Sequence, residues 1–398
     1  TNVEPNVMFT LDDSGSMQWE IIPDSNLFGV RSFMFPRPND TYGGSMTTEW
    51  VPAPWGSTSI PNNFYAFFSR SVHNNPIYYD PQTKYRPWVE ADGEEMDPAD
   101  PDDALYNPDD SDVGGVDLTA EQSDGAFWFT ATEPPGIACF QNRFGNCRNV
   151  ELDYWPITFF EYKGTGDEQK ADNYYRYQIR GDSAYRLDLA TDVEIPVTEF
   201  NWDETTRTIA QETQNFANWF QYHRSRVLSS RAGIGRAFTR MPDQARVGFA
   251  AINQGERKID GVDSDQAVIT GVRNFGSGTV AGDGRSRFYD NLYSHVINGN
   301  TPLRTAANAV GQYFERADAK GPWSTTPGED DGEDLACRQS FHILMSDGFW
   351  NRGSPGVGNV DDTAGSEITG PDAGEGPQSF TYSPVSPFSD SHSNTLAD

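Results

Sequence analysis

Apolar residues in this chain gather in short runs that stop on small polar ones. Asn6 to Met17 reads NVMFTLDDSGSM. Val7, Met8, Phe9 and Leu11 are apolar on both faces of a strand, as a central parallel strand requires, and the run stops on Asp12-x-Ser14-x-Ser16. Arg338 to Gly348 (RQSFHILMSDG) repeats the arrangement: Phe341, Ile343, Leu344 and Met345 predict a second buried strand ending on Ser346-Asp347-Gly348, with His342 inside it as a core residue. Arg246 to Asn253 (RVGFAAIN) reads as another buried strand and Gln266 to Arg273 (QAVITGVR) as an edge strand. From about Glu204 the period becomes helical. Phe216, Trp219, Phe220, Val227, Ile234 and Phe238 form a core stripe, with Arg224, Arg226 and Arg231 expected at solvent. Arg285 to Val296 and Thr301 to Arg316 read as further helices, the latter with Leu303, Ala306, Ala307, Val310 and Phe314 on one face. This alternation predicts an α/β fold, a doubly wound, mostly parallel sheet flanked by helices.

Between Met17 and the first helical pattern lies a stretch dense in Pro, Gly, Asn and aromatics, including NNPIYYDPQTKYRPW at Asn74 to Trp88. Trp155 to Tyr162 and Tyr174 to Ile179 read as short strands, and Gly164-Thr165-Gly166 as a turn. The expected organisation is therefore a first strand and loop at 1–19, a loop-rich, partly β insertion at 20–200, the rest of the α/β domain at 201–354, and a Gly/Pro/Ser-rich segment at 355–398. Insertions at such a loop shape what reaches a site at the strand ends.

In open α/β sheets ligands sit beyond the carboxyl ends of the strands. There, Asp12, Ser14 and Ser16 supply one carboxylate and two hydroxyls, the hard oxygen donors that a small hard cation takes. Asp-Asp-Ser-Gly is also ordinary turn chemistry. The spacing resembles the metal-ion-dependent adhesion site of von Willebrand factor A domains. In that family a Thr and an Asp from two later loops complete the site, and Thr301 in GNTPLR and Asp347 stand in the matching places. Read without the family, Thr301 is a helix N-cap ahead of Pro302, and Asp347 a turn residue after a strand. The resemblance implies Mg²⁺, with Mn²⁺ or Ca²⁺ as alternatives. Ser14 and Ser16 would bind it directly, Asp12 and Asp347 mainly through water, and Thr301 either way. One coordination position would stay open for an acidic group of a partner.

Four blocks narrow the resemblance: Gln214 to Phe238, Phe288 to Tyr293, Thr301 to Phe314 and Cys337 to Asn351, with the tail Phe388 to Asp398. Together they are similar to the type IV pilus-tip adhesin and biogenesis family of the PilY/PilC kind. Its members are normally much longer, with a carboxyl-terminal β-propeller, so the chain is expected to be an amino-terminal part. The implied setting is the pilus tip of a Gram-negative bacterium, extracellular after export through the periplasm. Implied partners are a host or surface receptor and, through the missing carboxyl-terminal region, minor pilins. A structural or priming subunit for pilus assembly and a surface mechanosensor are the other readings.

Among the 398 residues there are 59 acidic and 29 basic ones, a formal net charge of −30. That disfavours nucleic acid and anionic membranes as partners. No run approaches the ~18 apolar residues of a membrane span. The chain starts on Thr1, as a processed or trimmed product would. Cys139 and Cys147, in CFQNRFGNC, suit a small disulfide ring of an oxidising compartment, while Cys337 is left over, a buried thiol or the partner of a segment elsewhere. The acidic run Asp97 to Asp117 lacks the EF-hand order and, broken by Pro98, Pro101 and Pro108, reads as a solvated disordered loop; Glu329 to Asp334 reads the same way. Arg180-Gly181-Asp182 spells an integrin-type tripeptide and is by default a turn. With no G-x-S-x-G, H-E-x-x-H or phosphate-loop pattern, no enzyme is expected.

Overall fold

The computed structural model describes residues 3–22, 33–43, 51–56, 63–130, 147–203, 205–264, 266–333, 335, 338–348, 350–359, 363–372, 377–385 and 392. The elements used below are, in chain order, β1 (Asn6–Leu11), β2 (Thr158–Tyr162), β3 (Tyr174–Arg180), β4 (Ser183–Asp188), β5 (Val193–Val197), α1 (Ile209–Tyr222), α2 (Arg226–Phe238), β6 (Arg246–Ala251), β7 (Val268–Asn274), α3 (Gly284–Ser294), α4 (Leu303–Phe314) and β8 (Ser340–Met345). The chain is mixed α/β and divides into two compact units, Thr1–Ser14 with Arg240–Asp398, and Gly15–Thr239.

The first unit is built on a four-stranded sheet of order β7-β6-β1-β8. β1 runs parallel to both neighbours, pairing Phe9 with Phe249 and with Ile343, while β7 is antiparallel to β6. All six residues of β1 are buried, as its apolar pattern requires. Successive side chains of a strand point to opposite faces. Met8 joins a cluster with Ala250, Val272 and the Leu303, Ala306, Val310 and Tyr313 stripe of α4. Phe9 meets Phe249 at 5.9 Å and Phe288 of α3 at 5.8 Å. Each face of β1 thus carries one helix. Gly248 is required by the close packing: a Cβ there would lie 2.7 Å from the Met8 methyl and 2.9 Å from the Thr270 carbonyl. The β6–β7 ladder is irregular around Phe249, and the Val272 N–H donates instead to the Tyr313 hydroxyl at 2.8 Å.

In the second unit, β2 to β5 form an antiparallel meander in the order β5-β4-β3-β2, accompanied by smaller ribbons. A capping box, Thr208 with Gln211, opens α1. The α1 stripe packs on aromatics from the loop-rich stretch: Phe216 on Tyr79 at 4.9 Å, Trp219 on Tyr78 at 4.8 Å and Phe220 on Phe35 at 5.1 Å. Those contacts place α1 with the loop-rich unit, and α2 falls in the same unit, whereas the sequence boundary at 200/201 set both with the sheet.

Three expectations are corrected. Arg224, Arg226 and Arg231 are 1%, 5% and 1% exposed rather than at solvent. Arg224 is held by Glu20 at 3.0 Å and by the Phe220 and Tyr106 carbonyls, and Arg226 by the Ile21 carbonyl. A helical period identifies the face that is apolar, but the irregular chain also wraps the other face, where the long guanidinium side chains of Arg224 and Arg226 reach backbone carbonyls. β8 is a sheet edge and not a buried strand: Phe341 and Ile343 are 49% and 45% exposed, and His342 is exposed with its Nε2 2.8 Å from the Thr10 hydroxyl. The acidic run Asp97–Asp117 is ordered. Ala99, Ala104 and Leu118 are buried between the carboxylates, and Asp100, Asp110 and Asp117 each accept a backbone N–H two residues on. Cys139 and Cys337 lie outside the described residues, as does most of the Phe388–Asp398 tail; the backbone of Cys147 begins a short strand.

Candidate metal centre

The carboxyl ends of β1, β6 and β8 lie side by side, since Leu11 pairs with both Ala251 and Met345. The Asp12 N–H continues the ladder to the Met345 carbonyl at 2.9 Å, which sets the Asp12 side chain at the point where both chains leave the sheet. Asp12 is fully buried. One carboxylate oxygen accepts the Ser14 N–H at 2.8 Å and the other the Ser346 hydroxyl at 2.6 Å. Burial pushes its pKa up; hydrogen bonds from Ser14 and Ser346 oppose that, and the charge of Asp347 adds to the rise. The arrangement is a buried carboxylate held by hydroxyl and amide donors, with a second carboxylate close enough to disfavour its charged form.

Thr301 is 4% exposed. The residue ahead of α4 at its N-cap is Pro302 and no side chain caps the helix, so Thr301 is not the cap that its position suggests. Its backbone is clamped by Asn351, which accepts from the Thr301 N–H at 2.9 Å and donates its own N–H to the Thr301 carbonyl at 3.2 Å. The Thr301 hydroxyl has no hydrogen-bond partner among the described residues. At the second residue of α4 the Arg304 guanidinium lies over the Trp350 ring at 5.6 Å and donates to the Gly353 carbonyl. The loop after β8 is thereby strapped to the start of α4, and Asn253, whose side chain donates to the Asn300 carbonyl at 2.6 Å, ties the same loop to the end of β6.

Asp12, Ser14, Thr301 and Asp347 therefore all belong to loops at one end of one sheet. Ser16 lies in the second unit, in a single turn spanning Gly15–Gln18. Two residues that the sequence reading passed over are central. Ser346 touches Asp12 directly, and the signal was its place beside Asp347 at the strand end. Asp13, 1% exposed, accepts from the Asn253 N–H and side-chain amide, both at 2.9 Å, and its other oxygen is 2.9 Å from His295 Nε2. Asp13 joins β1, the end of β6 and the residue after α3, so of the adjacent pair Asp12 and Asp13 only Asp12 is placed toward the β8 loop. Among the described residues no group of three or more His, Cys, Asp or Glu side chains is placed to hold a metal ion; what this end of the sheet offers is hydroxyls beside two carboxylates.

Along its whole length the chain is similar to the type IV pilus biogenesis factor PilY1 of Pseudomonas aeruginosa. Identity is 29% over 407 residues for strain PAK, 27% over 398 for strain PAO1 and 25% over 400 for strain UCBPP-PA14. The resemblance to these PilY1-type factors covers the whole of this chain. It spans only about a quarter of those relatives, 26–27% of their length. No family model matches it, and no solved structure does.

Away from this end of the sheet, Arg180-Gly181-Asp182 forms the tight turn between β3 and β4, with Arg180 paired to Ser183 and Gly181 at φ 59°. Arg180 is folded back: two of its nitrogens reach Glu194 at 2.8 and 3.1 Å, Nε donates to Gln178 at 2.7 Å, and the group lies over the Tyr185 ring. Only Asp182 of the tripeptide is exposed. No described helix is long and apolar enough to cross a membrane.

Proposed function

We propose that this chain is a metal-dependent binding module of a type IV pilus, with a von Willebrand A type site that takes the acidic group of a partner. The observation that carries the reading is Asp12, buried at the meeting of two parallel strand ends with Ser346, in the electrostatic reach of Asp347. Ser14, Thr301 and Asp347 would share the ion with it, and Ser16, the remaining hydroxyl of the motif, enters on the sequence pattern alone. The donor set suits Mg²⁺, which keeps several waters and rarely takes an all-carboxylate cage. With few direct carboxylates the ion stays electrophilic toward an incoming one. On this reading the sheet with a helix on each face is the core of a doubly wound domain, and the partner is a surface receptor.

The module is extracellular on this reading, exported to a pilus. The test is binding of Mg²⁺, Mn²⁺ and Ca²⁺ by calorimetry to chelator-treated protein, followed by binding of the loaded protein to a carboxylate-bearing surface. Loss of surface binding in chelator with the fold retained supports the module. A protein that unfolds in chelator would instead make the metal structural, a role in pilus assembly that the relatives' printed name, biogenesis factor, favours.

A further inference from the structure

The loop-rich unit encloses a cavity of about 360 Å³, within the size range of small-ligand sites. Its walls include the rings of Trp55 and Trp155, both half-buried. Arg70, Arg176 and Arg180 line it against two carboxylates, Glu121 and Asp153, which reverses the balance of a chain with 59 acidic and 29 basic residues.

The guanidinium groups are incompletely matched. Arg176 is 9% exposed; its Nη2 donates to Glu194 at 2.7 Å, and its Nε is buried with no hydrogen-bond partner. The same Glu194 carboxylate also serves Arg180. One carboxylate thus answers two guanidiniums, and a buried N–H without an acceptor is a cost that a ligand's acceptor would relieve. Arg70 is buried as well, but it is matched: its Nη2 donates to the Met34 and Pro52 carbonyls, and its guanidinium also meets the Tyr78 hydroxyl.

We propose that this cavity binds an acidic saccharide, a sugar ring that carries a carboxylate. The carboxylate meets the Arg176 and Arg180 edge, where guanidinium geometry matches it. The C–H face of the ring lies on the tryptophans, which offer broad apolar surface at low conformational cost. The hydroxyls donate to Glu121 and Asp153, exposed at the rim, and bond to the Gln178 side chain. A purely apolar ligand would leave the Arg176 Nε–H buried and unanswered. A bare small carboxylate would leave the tryptophan walls and both rim acceptors unused.

Digalacturonate is the probe, titrated by calorimetry and by tryptophan fluorescence in chelator, with its dimethyl ester, cellobiose and acetate as controls. Saturable binding of digalacturonate is expected, with the ester and cellobiose about 10–100-fold weaker, the value of one charge-assisted hydrogen bond to each sugar acid. Trp155→Leu and Asp153→Ala, both at half-buried or exposed positions, should weaken it comparably while the melting curve stays in place. Arg180→Gln should weaken digalacturonate and leave cellobiose unchanged. No saturable binding, equal affinity for the ester, or acetate competing as well as the disaccharide would each overturn the proposal. So would binding that survives both Trp155→Leu and Asp153→Ala.

Discussion

Asp12→Asn separates the metal from the fold. The amide keeps the shape and an oxygen for the Ser14 N–H, and its NH₂ can donate to the Ser346 hydroxyl that Asp12 accepts from. Two charge-assisted hydrogen bonds become neutral ones, a loss of about 1 kcal/mol each. Against that, a buried charge without a cation is removed, and the upward pKa shift of Asp12 says that its desolvation outweighs its hydrogen bonds. The metal-free variant should therefore be as stable as the parent to within about 1 kcal/mol. Magnesium changes the comparison. At about a hundred times Kd, linkage adds about 2.7 kcal/mol to the parent. For a unit of this size that is a rise in Tm of about 5–10 °C. Calorimetric titration and scanning calorimetry of both proteins, with and without Mg²⁺, read it directly. The variant should show neither heat of binding nor a shift. An equal Mg²⁺ shift in Asp12→Asn would refute the assignment of this end of the sheet, and a metal-free parent that is already unfolded would refute the adhesive reading in favour of a structural metal.

Asp13→Ala strips the acceptor from the Asn253 N–H, its amide and His295 at once, so it should cost about 3 kcal/mol or more in denaturant titration while Mg²⁺ affinity, measured at a temperature where the variant is folded, changes less than in Asp12→Asn. Arg224→Met leaves Glu20 buried without its guanidinium and should destabilise the second unit by about 3–5 kcal/mol, partly rescued by adding Glu20→Gln, as a double-mutant cycle would show. His223 donates through Nε2 to the Arg86 carbonyl and burial lowers its pKa to about 4. A His with a depressed folded pKa contributes stability that is present above the unfolded value near 6.5 and lost as pH falls toward 4, about 3 kcal/mol over that window. Denaturant midpoints between pH 7 and 4 should show this loss, and His223→Gln should flatten it.

What was legible followed strict periodicity. β1, β6 and β7 came through because alternating or all-apolar runs leave a strand few other ways to bury itself, and α4 because Leu303, Ala306 and Val310 recur on one face. The strand ends carried the candidate donors for the same reason, since a buried parallel strand must release its chain at a fixed edge. What failed was everything decided by which irregular chain covers which surface. Arginine reads as surface in any helical wheel, yet Arg224 is buried because Glu20 and the Tyr106 carbonyl, far apart in sequence, come to it. β8 has the composition of a core strand, but composition does not say whether a neighbour is present on its second edge. Thr301 has the chemistry of an N-cap and sits one residue too early, since Pro302 takes that place. Aspartates in a run suggest mutual repulsion and solvation, whereas in Asp97–Asp117 they close turns around buried Ala99, Ala104 and Leu118.

The two proposed sites rest on unlike physics, and that is what makes them separable. The strand-end centre is a deficit of positive charge: Asp12 is buried and feels Asp347, and its hydrogen bonds do not offset the desolvation. The cavity of the loop-rich unit is a deficit of acceptors: Arg176 and Arg180 share one carboxylate and a buried Nε–H goes unanswered. A cation relieves the first and has no purchase on the second, while an anionic sugar does the reverse. Chelation should therefore abolish carboxylate capture at the sheet without touching saccharide affinity, and Arg180→Gln should do the opposite. A module that lost both activities on chelation would require the metal to support the loop-rich unit as well, and the charge argument made for each site alone would then be the wrong one.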